Sequence, residues 1–383
     1  MNSVYASLGR TIFDVMSGLA AELGAVNLGQ GFPEEDGPRD LREYAARALI
    51  DGPNQYPPMR GLPPLREAVA VHYASHHSVT LDWKTEVTIT SGATEALAAA
   101  ILAVVEPGDE VVLMEPMYDS YAPMVRRAGG VPKYLRLAPP HWRVTEEKLA
   151  AAFTPKTRAI ILTTPHNPAA SVASDEDLAL IARFCRANSA IAISDEVWEH
   201  VLFDGRRHAS MLHHLRDQTI KIGSAGKMFS MTGWKVGFAC AAPALTEVFA
   251  KAHQFLTFTT PPNLQNAAAY GLGKPAHYFE EMRAGFQRAR DRLAAALAQE
   301  GFVTLPAHGA YFMNVDLPAS GVTLSDEAFA LMAVKEFGVA TIPLAPFYAE
   351  PGSPALVRLC FAKKDETLDR GVERLAKARK AAI

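Results

Sequence analysis

The sequence predicts an α/β fold with a mostly parallel central sheet flanked by helices, followed by a smaller α+β domain. The first reason is that strand-like and helix-like segments alternate through the middle of the chain, which is typical of parallel sheets. The second reason is a change in composition near residue 275, where a long predicted helix rich in charged residues begins. The third is the length of 383 residues, which suits two domains of ordinary size.

Five short segments have the composition of strands. One alternates polar and apolar residues, and the others are short apolar runs typical of buried strands. They are Glu86–Thr90, Glu110–Met114, Ala159–Thr163, Ala190–Ser194 and Thr219–Ile222. Helices are predicted between them, for example over Ala93–Val105 and over Asp175–Asn188, where Ser174 is the expected N-cap.

Three regions follow from this pattern. Residues 1–34 are expected to form an N-terminal segment that associates with the small domain and lines the cleft. Residues 35–275 are expected to form the large domain. Residues 276–383 are expected to form the small C-terminal domain, which starts with a charged helix over Tyr278–Gln299.

Composition excludes several classes of protein. The chain has 38 Lys and Arg against 41 Asp and Glu, a net charge of −3, so a broadly basic nucleic-acid binder is excluded. The longest uncharged apolar run, Ala96–Val105, has about half the ~20 residues of a membrane span. Arg10 and Asp14 lie where a signal peptide would be apolar. The three cysteines lack disulfide or zinc spacing. We therefore expect a cytoplasmic protein with no membrane or nucleic-acid partner.

Residues that follow three of the predicted strands are candidates for chemistry, because parallel sheets bind ligands at the carboxyl ends of their strands. Ser91-Gly92-Ala93-Thr94 opens a helix whose free N–H groups attract anions, although an ordinary serine N-cap explains the same residues. Asp195 is either a capping residue or a charge directed into the cleft. Lys227 follows a third strand among small residues, where desolvation lowers a lysine pKa and activates the amine. A structural or exposed lysine is the alternative.

Other ligand motifs fail on single residues. Gly29-Gln30-Gly31 begins like a dinucleotide-binding fingerprint, but Glu34 stands where the third glycine is needed. A phosphate-binding loop ending at Lys227 would need a hydroxyl residue at Met228. His72 and His76 have helical spacing, but Tyr73 stands where a zinc protease has glutamate. We read the two histidines as part of a helix face, and the sequence indicates no metal site.

Four of the candidates together fit pyridoxal phosphate, which needs an amine, an acid beside its ring nitrogen, a phosphate cradle and an aromatic partner. Lys227 offers the amine, and Asp195 offers the acid that keeps the ring protonated. Ala93-Thr94 and Ser224 offer the phosphate cradle. Tyr118 offers an aromatic face. Each signal is weak by itself, and their position after successive strands predicts one site.

Over nearly its whole length the chain resembles the pyridoxal-phosphate-dependent aminotransferases of fold type I, class I/II. Within that family it is most similar to the methionine, glutamine and kynurenine aminotransferase subgroup. The matching stretches are Asn27–Pro33, Asn54–Pro57, Gly61–Arg66, Glu115–Asp119, His166–Pro168, Ser194–Val197, Ser224–Gly237 and Arg358–Ala362. The stretch around Lys227 is the most specific of them.

The resemblance implies roles for the residues around the cofactor ring. Lys227 forms the Schiff base and then moves the substrate's α-proton as general base. Asp195 pairs with the ring nitrogen, and Tyr118 stacks on the ring. Asn167, before a cis bond to Pro168, donates to the ring's 3-oxygen and reaches the substrate carboxylate.

The resemblance also implies the groups that hold the two anionic ends. The phosphate is held by Gly92, Ala93, Thr94, Ser224, Lys235 and, from the other subunit of a homodimer, Tyr56. Arg358 binds the substrate α-carboxylate through its two-pronged guanidinium. Gly31 and Phe13 line the substrate cleft.

Two departures from the family pattern stand out. Trp198 occupies the position of a tyrosine whose hydroxyl bonds the ring's 3-oxygen. An indole N–H donates but cannot ionise, so we expect a raised Schiff-base pKa that Trp198→Tyr restores. The alternative is that Trp198 only fills the space and Asn167 suffices. Ala169-Ala170 replaces the common Thr-Gly pair and is expected to be neutral.

The expected reaction moves the α-amino group of an apolar, sulfur-containing or aromatic amino acid, such as methionine, phenylalanine or kynurenine, to a 2-oxo acid. No family-matched second arginine is present for a distal carboxylate. Aromatic residues predicted in the cleft favour such side chains, although Phe32 and Phe347 are equally explained as core residues. These cleft residues are Phe13, Phe32, Tyr118 and Phe347.

Three other functions compete with this one. A β-lyase acting on cysteine S-conjugates would use the same Lys227, Asp195 and Arg358. A non-catalytic regulator that binds the cofactor would need an added basic DNA-binding segment, which the sequence lacks. A nicotinamide dehydrogenase is disfavoured by the failed glycine fingerprint.

Overall fold

A seven-stranded sheet forms the centre of the protein in this computed structural model, which describes residues 1–383. The whole chain has thirteen strands, seven of which form this sheet. They are β1 (Val26–Asn27), β2 (Val87–Thr90), β3 (Glu110–Glu115), β4 (Val131–Arg136), β5 (Thr157–Thr163), β6 (Ile191–Asp195), β7 (Thr219–Ser224), β8 (Gly237–Ala241), β9 (Val303–Thr304), β10 (Phe312–Asp316), β11 (Val339–Ala340), β12 (Ile342–Pro343) and β13 (Leu356–Cys360). The central sheet has the order β2-β8-β7-β6-β5-β3-β4. Only β8 runs antiparallel to its neighbours, so the predicted mostly parallel sheet is confirmed.

Sixteen α-helices surround and extend this sheet. They are α1 (Ser3–Ala6), α2 (Ile12–Glu22), α3 (Arg39–Asp51), α4 (Pro63–His77), α5 (Trp83–Glu86), α6 (Gly92–Val104), α7 (Tyr121–Arg127), α8 (Glu146–Ala152), α9 (Asp175–Asn188), α10 (Met211–His214), α11 (Ala225–Met228), α12 (Pro243–Leu256), α13 (Pro262–Leu272), α14 (Ala276–Gln299), α15 (Asp326–Phe337) and α16 (Asp365–Ala381). The N-cap predicted at Ser174 is present, and Asp177 completes a capping box with it.

The central strands bury both of their faces. Successive residues point to opposite faces of a strand, and Val111 and Leu113 of β3 belong to one apolar cluster together with Ile101 of α6. Val112 of β3 belongs to another cluster together with Ile181 of α9. Helices therefore cover both faces, as parallel sheets require.

A smaller antiparallel sheet of order β12-β13-β10-β9 follows α14. The strand β1 pairs in parallel with β11, which brings the N-terminal segment next to the C-terminal part of the chain. The domain boundaries at residues 35 and 276 stay predictions.

Two strands of the central sheet were not predicted. The strand β4 lies at the edge of the sheet and contains Pro132, which an edge strand tolerates. The strand β8 begins with Gly237 and consists mostly of small residues, so it lacks a strand-like alternation. A Cβ atom at Gly237 would lie 2.6 Å from the carbonyl carbon of Gly92, and close packing therefore requires glycine there. No helix of the protein is both long and apolar enough to span a membrane.

Candidate active site

A cavity of about 560 Å³ lies where the central strands end, between the two sheets and the N-terminal helix α2. The residues around it come from the segments that follow β2, β3, β5, β6 and β7, together with β10, β13 and residues 11–32. The cavity therefore lies at the carboxyl edge of the parallel strands, where α/β folds bind their ligands.

The structure brings together nearly all of the predicted site residues. Those that line the cavity are Phe13, Gly31, Gly92, Ala93, Thr94, Tyr118, Asn167, Asp195, Trp198, Ser224, Lys227, Lys235 and Arg358. Tyr56 is the exception. Its side chain is 83% exposed and contacts the ring of Phe258 outside the cavity.

One end of the cavity is an anion cradle without an anionic side chain. The helix α6 starts there at Gly92, whose φ of +79° suits glycine. A Cβ at Gly92 would lie 3.3 Å from Lys235 Nζ, so the missing side chain lets the ammonium approach the helix N-terminus. Lys235 forms no ion pair within the chain. Helix N–H groups and an unpaired ammonium together favour a phosphate-sized anion.

Lys227 stands in the middle of the cavity. Its Nζ lies 4.7 Å from the ring centroid of Trp198 and 6.0 Å from that of Tyr311. Burial lowers the pKa of Lys227 to about 8, against the opposing effect of the nearby Asp195 charge. The amine is therefore far closer to its neutral, nucleophilic form at neutral pH than an ordinary lysine.

Trp198 packs between Lys227 and the small sheet. Its ring meets Tyr311 edge-on at a centroid distance of 4.2 Å and Phe312 at 5.5 Å. The side chain is buried, and its indole N–H makes no hydrogen bond within the chain. The donor that replaces a tyrosine hydroxyl is therefore free to serve a ligand.

Asp195 is a buried carboxylate with no cation in contact. Its Oδ2 accepts a hydrogen bond from the hydroxyl of Tyr121 at 2.7 Å, and its Oδ1 accepts one from the Val197 N–H at 3.4 Å. Burial raises the pKa of Asp195, and the bond from Tyr121 opposes that change. A ligand that brings a positive charge to this carboxylate would satisfy it.

Arg358 is a buried guanidinium with no carboxylate partner. It donates to the Asn167 side-chain oxygen at 2.7 Å and to the Gly29 carbonyl at 3.0 Å, and its Nε–H is buried without an acceptor. Burial lowers its pKa to about 10, so it stays charged at neutral pH. A Cβ at Gly31 would lie 3.5 Å from its Nη2, so glycine keeps this side open for an incoming carboxylate. The Asn167–Pro168 bond is cis, as the resemblance implied.

The aromatic residues predicted in the cleft divide into two groups. Phe13, Phe32 and Tyr118 line the cavity. Phe347 does not, because it is 1% exposed and packs edge-on against Phe13 at 5.6 Å from the core side. Phe347 is thus a core residue that supports the cavity wall.

Sequence reasoning missed several residues of this cavity. Tyr121, which holds Asp195, is the first residue of α7 and lies three residues after Tyr118 in the chain. Phe312 lies on β10, and the Arg358 guanidinium lies 4.0 Å from the centroid of its ring. No pattern in the local sequence indicates this contact. The polar residues Thr11, Asp14 and Ser17 of the N-terminal segment also border the cavity.

Comparisons with known proteins agree with this geometry. A model of the family described as aminotransferase class I and II matches residues 24–375. The methionine aminotransferase of Escherichia coli is 45% identical over 372 residues, 96% of each chain. A kynurenine–oxoglutarate transaminase of Dictyostelium discoideum is 35% identical and covers 98% of this chain and 95% of its own.

The fold agrees as well. The solved structure of N-succinyldiaminopimelate aminotransferase from Mycobacterium tuberculosis superimposes with a TM-score of 0.96 at 40% identity, covering 99% of this chain and all of its own. The chain belongs to the class I and II aminotransferases, enzymes that move an amino group between an amino acid and a 2-oxo acid.

Proposed function

We propose that the protein is a pyridoxal-phosphate-dependent aminotransferase that takes the amino group from apolar, sulfur-containing or aromatic amino acids. One observation carries the proposal: a lysine of lowered pKa lines one cavity together with a carboxylate that has no cation in contact and a guanidinium that has no carboxylate partner. Catalysis would alternate between an amino donor and a 2-oxo acid that bind the same cavity in turn.

The unpaired groups of the cavity fit pyridoxal phosphate. The N-terminus of α6, Lys235 and Ser224 would hold its phosphate. Asp195 would hold its protonated ring nitrogen, and the Asn167 side chain would approach the ring's oxygen. When bound, the cofactor supplies an aldehyde for amine exchange and a ring that accepts electrons from the substrate's α-carbon.

The chain's own residues orient the substrate and move its proton. Arg358 would bind the α-carboxylate with the N–H groups that face the cavity, and Asn167 would fix the guanidinium at 2.7 Å. Lys227 Nζ would accept the α-proton and return it, which suits an amine with a pKa of about 8. Burial of these groups lowers the local dielectric constant, which strengthens each charge interaction relative to water.

The choice of substrate rests on the lining of the cavity. Phe13, Phe32 and Tyr118 provide apolar surface, and Arg358 is the one arginine among the lining residues. A distal carboxylate would therefore lack a guanidinium partner. The relatives named for methionine and kynurenine support the same class. Since apolar pockets separate neighbouring substrates by only ~1–3 kcal/mol, we expect a broad range of donors.

We also propose a homodimer in which Tyr56 reaches the phosphate of the neighbouring subunit. Within one chain Tyr56 lies outside the cavity and is 83% exposed, and Phe255, three residues before the Phe258 that Tyr56 contacts, is 86% exposed. Apolar side chains as exposed as these favour burial against another protein surface. Gel filtration that finds a fully active monomer would refute this part of the proposal.

The test is an absorbance spectrum of the purified protein before and after methionine is added, repeated on Lys227→Ala. We expect a cofactor band that methionine shifts to shorter wavelength and that a 2-oxo acid restores. In the variant neither step occurs. A band that methionine and aromatic donors leave unchanged would keep the cofactor and reject the substrate class, and the absence of any band after reconstitution would reject the role of Lys227.

A further inference from the structure

A cluster of buried histidines lies outside the cavity, between α4 and the turn after β6. His72 and His77 come from α4, and His200 comes from the turn after β6. One ring nitrogen from each lies within 4.8 Å of the others. His72 and His200 are 2% exposed and His77 is 9% exposed, so three imidazoles converge in the interior.

One nitrogen of this cluster has no partner. His77 Nε2 is buried and makes no hydrogen bond. Its nearest acidic neighbour is Glu199 Oε2 at 3.5 Å, too far for a good hydrogen bond. Two ligands of one tetrahedral zinc ion are about 3.4 Å apart when the metal–ligand distance is ~2.1 Å. Glu199 Oε2 is itself bonded to Lys221 and Tyr73, so His77 Nε2 is left without a partner and is available to a metal ion.

The protonation of His72 is also that of a metal ligand. Its Nδ1 lies 3.3 Å from the Leu272 carbonyl, which only accepts, so Nδ1 carries the proton and Nε2 presents a lone pair. Histidine ligands of metals commonly donate their other N–H to a backbone carbonyl in this way.

We propose that His72, His77 and His200 bind one divalent transition-metal ion, with zinc as the reference metal. Neutral imidazoles are preferred ligands of zinc, copper and nickel. His72 Nε2 and His200 Nε2 are 2.7 Å apart, so binding separates them by about 0.7 Å to reach the ~3.4 Å of a tetrahedral site. His200 moves its proton from Nε2 to Nδ1, with no net release. Glu199 is the adjacent anion.

Such an ion would connect the C-terminal end of α4 to the turn after β6. That turn follows Asp195 and contains Trp198, and both residues line the cavity. The metal would therefore fix a segment of the cavity wall. This site differs from the zinc-protease motif rejected in the sequence, because it uses His77 in place of His76. Its third histidine is 128 residues away from His72, and only the fold brings it near.

The experiment measures zinc retained by the untagged, purified chain after incubation with equimolar zinc chloride and desalting. We expect one zinc ion per chain in the wild type and in His141→Gln, which replaces an exposed histidine outside the cluster. In His77→Gln, which removes a nitrogen without a hydrogen bond to lose, we expect zinc affinity to fall by at least 10–100-fold, about the loss seen for an outer-shell partner.

A measurement on the wild type alone guards against a variant that misfolds. Cobalt added in place of zinc should give visible absorption at wavelengths beyond the cofactor band, which added zinc then abolishes. A wild-type chain that retains no zinc and shows no cobalt absorption overturns the proposal. Equal zinc retention by the wild type and by a folded His77→Gln variant overturns it as well.

Discussion

Two lysines, one on β7 and one in the helix that directly follows it, have opposite surroundings. Lys221 of β7 is fully buried and lies 2.5 Å from Glu199 Oε2, which also accepts hydrogen bonds from the hydroxyl of Tyr73. Lys227, six residues later, has no carboxylate within ion-pair distance, although Asp195 faces the same cavity. We call Lys221 and Glu199 the closed set, because they are paired within the protein. We call Lys227, Asp195 and Arg358 the open set, because they line the cavity without an ion pair.

The difference separates a structural role from a binding role. Removing two charges from water costs several kcal/mol for each, unless each finds a partner. Lys221 and Glu199 satisfy each other inside the protein. Lys227, Asp195 and Arg358 do not, so their free energy falls only when a ligand brings the complementary groups. Buried charges without partners in a cavity therefore indicate the site more directly than their residue types do.

The largest effect on stability is expected from breaking the closed set. Burial lowers the pKa of Lys221 to about 7, and Glu199→Gln leaves this amine in the interior without its carboxyl partner, which should lower the free energy of unfolding by about 3–5 kcal/mol. Chemical denaturation of the wild type and the variant measures this difference. The double variant Glu199→Gln with Lys221→Met removes both charges and should recover most of the loss.

The matched change in the open set is Asp195→Asn. Because Asp195 has no cation to lose, the free energy of unfolding should stay within about 1 kcal/mol of the wild type or rise, as at other binding residues. Cofactor affinity should fall strongly in the same variant. If Asp195→Asn destabilised the fold as much as Glu199→Gln does, the distinction between an open and a closed set would be wrong.

The second prediction concerns the protonation of Lys227. Only the neutral amine reacts with an aldehyde, and burial lowers the Lys227 pKa to about 8 from its ordinary 10.5. In the cofactor-free protein, trapping of Lys227 by a small aldehyde and a reductant should therefore increase as pH rises through about 8 and level off above it. Peptide mass spectrometry follows the labelled residue.

The unfolded chain is the control for this titration. In concentrated urea the same lysine should react only as the pH approaches about 10.4, the value of an exposed lysine. A midpoint near that value in the folded protein would mean that the cavity does not desolvate Lys227.

Much of this site was predictable from the sequence because its residues follow strands. Asp195, Lys227 and the turn at Gly92 each come directly after a predicted strand, and parallel strands end at one edge. The contacts that distinguish the two lysine sets were not predictable. Tyr73 and Lys221 reach Glu199 across a helix-to-sheet contact, and no local pattern records such pairings between distant segments.

The same limit explains why the sequence could not decide whether Phe347 and Phe32 are core residues or cavity residues. Phe347 and Phe32 have similar aromatic character in the sequence, yet the fold places Phe347 in the core and Phe32 on the cavity. Tyr56 was assigned through family resemblance to the phosphate site of the neighbouring subunit, and that role stays a prediction because the structure holds one chain. Side-chain direction and subunit contacts depend on packing, which a single sequence does not show.

The third prediction tests how the open carboxylate is held. Tyr121→Phe removes the O–H that donates to Asp195 at 2.7 Å. A hydrogen bond to a charged group contributes about 1.5–3 kcal/mol, so the ionised form of Asp195 loses support and its pKa rises further. Since ~1.4 kcal/mol is a tenfold change, we expect cofactor affinity to fall about tenfold or more, measured by absorbance titration.

Tyr134→Phe is the control for loss of a tyrosine hydroxyl. Its hydroxyl accepts a hydrogen bond from Arg126 on the surface at 2.9 Å, away from the cavity. It should leave cofactor affinity unchanged. An unchanged affinity in Tyr121→Phe would show that Asp195 does not depend on this donor.

The smallest effect is expected at Ala170, in the segment that also carries Asn167 toward Arg358. The sequence predicted that Ala169-Ala170 is neutral, but Ala170 has a φ of +59°, a conformation that costs an L-residue roughly 1–2 kcal/mol. Glycine removes that strain, but its greater conformational freedom favours the unfolded chain by about 0.4–1 kcal/mol. Ala170→Gly should therefore raise the free energy of unfolding by up to about 1 kcal/mol.

The neighbouring alanine provides a control of opposite sign. Ala169 is equally buried and does not have a positive φ, so Ala169→Gly gains flexibility in the unfolded chain and relieves no strain. It should lower the free energy of unfolding by about 0.4–1 kcal/mol. Thermal unfolding of the two variants side by side tests the pair, and a decrease in both would show that Ala170 is not strained. An increase in Ala170→Gly alone would show that the segment that carries Asn167 toward Arg358 keeps backbone strain at Ala170.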